Sequence, residues 1–347
     1  MKTNDFDYYL PEELIAQEPL LDRSSCKFLV YNKETKEIKD DRFYNIASYF
    51  VSGDVLVLND TKVMKARLYG KKQDTGASVE LLILRPLSNN LFLAIAKPKK
   101  RVKVGSVIVF SDKFSCIVRS VTDDLCIEVE FPSGIDVLAS LDEIGHIPLP
   151  PYIKKELSDS DMYQTVYAKN LGSAAAPTAG FHFTPSLLKE LKDKGVIVTY
   201  LTLSIGLGTF LPVKTEVIEE HKMHGEDYYI SEELEGILNL ARKEKRRIIA
   251  CGTTVLRALE SNYKDGLNTK GHYNTSIFLY PPYKVKSIDA IITNFHLPKS
   301  TLLMLISTII PLNELMRIYE HAISEKYRFF SFGDAMLITG GYNGHTN

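Results

Sequence analysis

Two stretches of the chain distribute their apolar residues differently. From about residue 63 to 131 the apolar residues come in short runs, at 79–84, 91–96, 106–110, 114–121 and 125–131, rich in β-branched and aromatic side chains. Turn-forming residues separate the runs: Ser88-Asn89-Asn90, Gly105, Asp112, Asp123-Asp124 and Pro132. Closely spaced strands with no helix between them predict a small antiparallel barrel or sandwich. Elsewhere helical and strand-like segments alternate. The hydrophobic run 55–58 and the segments 196–203, 247–251 and 288–293 read as strands. Helices are predicted over 185–194, 231–245, 254–261 and 300–310. Thr184 is an N-cap followed by Pro185 in the first helical position, and Gly195 stops that helix; Ser231 caps the next. Such alternation implies an α/β layer with some parallel pairing. It flanks the β-rich stretch on both sides. The expected fold is therefore an α/β (mixed α+β) main domain, residues 1–60 plus 150–347, with an inserted all-β antiparallel barrel-like domain over 61–149.

Length and composition are compatible with that division. At 347 residues, 45% hydrophobic and 24% charged, the chain can bury two cores, and a disordered, collagen-like or coiled-coil protein is excluded. Cys26, Cys116, Cys126 and Cys251 include no pair at C-x2-C spacing, so zinc knuckles and thioredoxin motifs are absent. Asp5 and Asp7 occupy a start without an apolar segment, unlike a signal peptide. The longest apolar stretch, 302–310, contains Ser307 and Thr308 and ends at Pro311. That is well short of the roughly 20 residues that cross a bilayer. A soluble, cytoplasmic protein without membrane contact is expected.

Charge changes the picture more. The net charge is only −1, yet residues 62–103 hold eleven basic and two acidic side chains, a local +9 against −10 elsewhere. A basic patch on a neutral protein suits a phosphate-backbone binder. Lysines that block an exposed sheet edge would give the same count.

The familiar nucleotide motifs are missing. There is no G-x-x-x-x-G-K-[ST], and Gly206-Leu207-Gly208 is followed by Leu211 where a dinucleotide fingerprint needs a third glycine. Pro-Pro-Tyr occurs at 150–152 and 281–283, but Leu149 and Tyr280 precede it where an amino-methyltransferase carries Asn or Asp. Instead, strands run repeatedly into small or polar loops: Asn59-Asp60-Thr61-Lys62, 172–184, 206–210, Gly252-Thr253-Thr254 and Asn294-Phe295-His296. Strand ends in α/β folds are where ligands bind, so these loops can converge on one pocket. His221, His224 and Glu226 could hold a metal, but their spacing is not that of a zinc helix. No metal is expected.

Together these blocks resemble the S-adenosylmethionine:tRNA ribosyltransferase-isomerases, the enzymes of queuosine biosynthesis. The likeness runs through Tyr9-Leu10-Pro11, Leu14-Ile15-Ala16-Gln17, Arg23, Gly53-Asp54, 59–63 and Ala66-Arg67-Leu68. It continues in 163–168, 172–184, 206–213, His221, Met223, His224, Glu226, 252–254, Arg257, Glu260, 293–298, 300–303 and 332–336. Cys26, Phe181, Ser204 and Pro282 depart from it, and Ser204 argues against an obligatory histidine at that position.

The resemblance implies that the ribosyl part of S-adenosylmethionine, consumed as a substrate, is transferred to 7-aminomethyl-7-deazaguanine at a tRNA wobble position and isomerised. Epoxyqueuosine, adenine and methionine would result. The catalytic candidates are His182, His224, Glu226 and His296, since a base must take a proton acidified by the sulfonium. Substrate-binding candidates are Asp60, Thr61, Gly206, Gly208, Thr209, Thr253, Thr254, Arg257 and Asn294. Lys62, Arg67, Lys99, Lys100 and Arg101 are candidates for tRNA phosphates, and a monomer is expected. Two alternatives stay open: a non-catalytic tRNA-binding protein, and a metallohydrolase on His221, His224 and Glu226.

Overall fold

The computed structural model describes residues 1–122, 126–155, 159–206 and 213–340. Strands β1 (Lys27–Asn32), β2 (Ile38–Arg42) and β3 (Val55–Asn59) begin a large sheet, and β4 (Thr61–Val63) leads out of it. Six strands follow: β5 (Arg67–Lys72), β6 (Ser78–Pro86), β7 (Leu91–Lys97), β8 (Val107–Ser111), β9 (Phe114–Val121) and β10 (Cys126–Glu130). After helix α1 (Val137–Ile144) and strand β11 (Asn170–Ser173), the chain returns to the sheet through α2 (Pro185–Asp193) and β12 (Ile197–Leu203). Then come β13 (Glu226–Ile230), α3 (Glu232–Lys243), β14 (Ile248–Cys251), α4 (Thr253–Asn262), β15 (Gly271–Thr275) and β16 (Ala290–Asn294). Helices α5 (Thr301–Ile306) and α6 (Leu312–Ser324) and strand β17 (Ala335–Thr339) complete the fold.

The large sheet has nine strands in the order β15-β13-β12-β3-β14-β16-β17-β1-β2. Its centre, β12-β3-β14-β16, is parallel. Both faces of that centre are covered, which is why β3 reads as an unbroken apolar run. Val55 and Val57 enter one core with α3, α4 and α6, while Leu56 and Leu58 enter the other with α2. The six strands β5–β10 close into an antiparallel barrel, β10-β7-β6-β5-β8-β9. Alternate residues of β7 and β10 are buried, the period expected of a barrel wall.

The structure departs from the sequence-based expectation in three places. The stretch expected to be all-β contains α1, capped by the Asp136 carboxylate, with Val137 and Leu141 in the barrel core. Strand β5 shows little apolar pattern because Arg67, Lys71 and Lys72 are charged, Tyr69 is exposed and only Leu68 is fully buried. The helix expected over 300–310 stops at Ile306. Beyond it the Ser307 and Thr308 hydroxyls donate to the Met304 and Leu305 carbonyls, both at 2.6 Å, competing with helix continuation.

The barrel leaves the sheet at the end of β3, where a buried amide holds the strands. Asn59 Nδ2 donates to the Leu203 carbonyl at 3.0 Å, and Asn59 Oδ1 accepts from the Leu203 amide at 3.0 Å. Asp60 then accepts from Thr202 Oγ1 at 2.6 Å and Asn170 Nδ2 at 2.9 Å. Next to these, β4 pairs in parallel with β11. Replacing Asn59 with leucine would orphan the amide and carbonyl of Leu203. Urea titration of Asn59→Leu is expected to show a loss of about 2–6 kcal/mol, at roughly 1–3 kcal/mol per buried orphan. An unchanged midpoint would refute the staple.

Candidate functional site

A cleft lies at the carboxyl ends of the central parallel strands. Strand β14 ends at Cys251, Gly252 turns with φ at +94°, and α4 begins at Thr253. Strand β16 ends at Asn294, and Phe295 and His296 follow. The small-residue loop after β11 brings Ala176 to Ala179 against them. At Gly180 a side chain is excluded, because a Cβ would stand 1.8 Å from the Tyr167 hydroxyl oxygen. The cleft is about 80 Å³, with Thr178, Thr253, Thr254, Asn294 and His296 as polar lining and Ile205, Leu297 and Phe330 as apolar walls. It therefore has to widen to take a nucleoside-sized ligand, which needs a few hundred Å³. A larger concavity, about 680 Å³, lies on the barrel and contains none of these groups.

His182 is buried beside the cleft rather than exposed in it. Its Nδ1 lies 3.2 Å from Cys26 Sγ and its Nε2 3.2 Å from Asn294 Nδ2, so both ring nitrogens are occupied. Burial, with Arg328 and Arg23 nearby, pushes its pKa down to about 3. The structure thus sets His182, expected as an acid or base, behind the cleft lining, where its ring contacts Asn294. His296 does line the cleft. Its Nε2 meets Thr293 Oγ1 at 2.9 Å, and burial lowers its pKa to about 3 as well.

Glu226 opens β13 with its side chain fully buried. Arg257 Nη1 on α4 reaches Glu226 Oε2 at 2.8 Å. His224 Nε2 stands 3.6 Å from Glu226 Oε1, and the Gly206 amide donates to that oxygen at 3.4 Å. Gly206 follows Ile205, a wall of the cleft, so this cluster adjoins it. His224 keeps 31% of its side chain exposed, and its ring can therefore meet a ligand while Glu226 cannot. His221 packs its ring on Phe278 instead, so the geometry does not gather His221, His224 and Glu226 as one ligand set. Among the described residues no three His, Cys, Asp or Glu side chains are grouped for a metal ion.

Several predicted residues do other work. Asp60 and Thr61 tie β3, β11 and β12 together and do not line the cleft. Gly208 and Thr209 lie outside the described residues. Arg67, expected at tRNA phosphates, contacts Glu80 at 3.3 Å and the Leu149 carbonyl at 3.3 Å. Lys99 donates to the Thr122 carbonyl and Arg101 to the Ser78 carbonyl, each at 3.0 Å, while Lys62 and Lys100 are exposed. The barrel groove joins Arg101 to Lys71 and Lys97 and to the aromatic rings of Tyr69 and Phe110. The reading of single residues missed Thr178, Tyr152 and Ser331. Tyr152 ends the first Pro-Pro-Tyr triplet and bonds Ser331 Oγ at 2.7 Å at the cleft wall. The second triplet is structural, Tyr283 donating to Glu260 at 2.6 Å.

A family model described as queuosine biosynthesis protein matches residues 3–338. The chain belongs to this queuosine biosynthesis family. It is also 34% identical to the S-adenosylmethionine tRNA ribosyltransferase of Thermotoga maritima, over 96% of this chain and 99% of that one. The crystal structure of that protein matches with a TM-score of 0.55. Among the described residues of this queuosine biosynthesis protein, no helix is long and apolar enough to cross a membrane.

The two buried histidines have a measurable consequence. With a folded pKa near 3 against an ordinary 6.5, the unfolded chain binds a proton that the folded chain refuses. Stability from this source is present above about pH 6.5 and is lost as pH falls toward 3. Between pH 7 and pH 5 the loss is expected to be about 2 kcal/mol smaller in His296→Gln than in the unsubstituted protein. Urea titrations at the two pH values test this; equal losses would place a proton on the folded ring.

Proposed function

We propose that the protein transfers and isomerises the ribosyl moiety of S-adenosylmethionine onto 7-aminomethyl-7-deazaguanine at the tRNA wobble position. The products are epoxyqueuosine in tRNA, adenine and methionine. The observation that carries this reading is the likeness, over almost the whole chain, to an S-adenosylmethionine tRNA ribosyltransferase. The cleft supports it: strand-end loops supply hydroxyl, amide and imidazole groups at the strand ends where α/β sheets bind ligands.

The chemistry assigns roles. The sulfonium acidifies the adjacent 5′ carbon, and a base must take a proton there. His224 suits this best, being accessible and backed by the buried Glu226 carboxylate, which steadies the imidazolium once formed. Arg257 holds Glu226 in place. The neutral His296, with Thr253, Thr254 and Asn294, binds and orients the nucleoside. The tRNA lies along the barrel, whose groove joins Lys71, Lys97 and Arg101 with aromatic faces that can stack on bases.

Incubation with S-adenosylmethionine and tRNA bearing the aminomethyl base should yield free adenine and a mass-shifted wobble base. Binding of tRNA without adenine release would instead favour a non-catalytic protein. His224→Ala is expected to lower turnover about 100-fold or more, as for loss of a general base. Full activity in a folded variant would remove it from that role. Neutralising Lys71, Lys97 and Arg101 together should weaken tRNA binding and flatten its dependence on salt. An unchanged salt slope would move the RNA elsewhere.

A further inference from the structure

Thr178 and Asn294 stand at the open end of a hydrogen-bond relay whose other end is buried. The direction of the relay is forced by the groups in it. Asn294 Nδ2 also points at the Asp334 backbone carbonyl, at 3.4 Å, and a carbonyl only accepts. That contact fixes which way the Asn294 amide faces. Its Oδ1 then accepts from Thr178 Oγ1 at 3.0 Å, and its Nδ2 donates to His182 Nε2 at 3.2 Å. Nε2 carries no proton, so the neutral ring is protonated on Nδ1, which faces Cys26 Sγ at 3.2 Å and shares its side of the ring with the Arg23 backbone. Every proton points inward, toward Cys26, which is 1% exposed. The hydroxyl proton of Thr178 is therefore committed, and it can offer the cleft only lone pairs.

We propose that Thr178 is a specificity residue that accepts a hydrogen bond from a donor on the nucleoside of the substrate, with Cys26, His182 and Asn294 as positioning residues that set its polarity. The donor is a ribose hydroxyl or the exocyclic amine of the base. A ligand offering only lone pairs at that point leaves Thr178 unpaired and is rejected. The inference rests on the ribosyl-transfer reading and names the group that selects its substrate.

The test is an adenine-release assay with modified tRNA. Three S-adenosylmethionine analogues compete in it, lacking the 2′-hydroxyl, the 3′-hydroxyl or the amine protons (N6-dimethyl). The unsubstituted protein should bind one of the three about tenfold more weakly than the parent, which identifies the donor. Thr178→Val, nearly isosteric, should raise KM for the parent about tenfold and bind that analogue no worse than the parent. Thr178→Ser should keep the discrimination, which a purely structural role for the side chain would not predict. Equal discrimination by Thr178→Val and the unsubstituted protein, or none by the unsubstituted protein, overturns the inference alone. No adenine release by the unsubstituted protein overturns the ribosyl-transfer reading and the inference with it. Absence of discrimination by the unsubstituted protein overturns the inference whether or not the variants fold.

Discussion

One buried amide governs where everything else can go. Asn59 ends the central strand β3 and satisfies both the amide and the carbonyl of Leu203 on β12. Those backbone groups lie where two parallel strands stop pairing, and unpaired they would cost more than the bonds yield. With β3 and β12 pinned, Asp60 fastens Asn170 and Thr202, and β4 pairs with β11. The chain therefore leaves for the barrel and returns from it at one fixed place. The same place sets the loop of small residues that floors the cleft. Barrel and cleft share a root in a single side chain.

Around that root the protein spends polar groups in its interior in two different ways. The relay from Cys26 through His182 and Asn294 to Thr178 is uncharged. In a low-dielectric setting such a relay aligns its members and specifies one tautomer and one amide orientation. The pair of Glu226 and Arg257 is charged and buried. A buried pair of this kind is weak evidence for stability, since desolvation offsets attraction. Its place beside His224 and Gly206 gives it a positional meaning instead. The polar groups that line the cleft thus belong to the neutral relay, and the ionic pair lies behind its lining.

The division of charge follows the division of the fold. The bases of residues 62–103 sit mainly on the barrel, while the polar loops sit at the ends of the main sheet. Not every base is unpartnered: Arg67 contacts Glu80 and Leu149, and Lys99 anchors to a backbone carbonyl. The groove nonetheless places three cations beside two aromatic faces, a combination that suits a phosphate backbone carrying unstacked bases.

Local order was legible along the chain. Short apolar runs read as barrel strands, Thr184 and Ser231 read as caps, and glycine-rich segments read as strand-end loops, because each depends on residues a few positions apart. Charged β5 and short α1 were not legible, since partners distant in sequence make them strand and helix. The same distance hid the chemistry. Cys26 and His182 are 156 positions apart, and His182 and Asn294 are 112 apart. A histidine in a polar loop looks exposed until the topology buries it between Cys26 and Asn294. A threonine in a loop of alanines looks like a spacer until the sheet order sets it against Asn294. Residue types are local properties of the chain, whereas the direction of a hydrogen bond belongs to the pair that folding brings together.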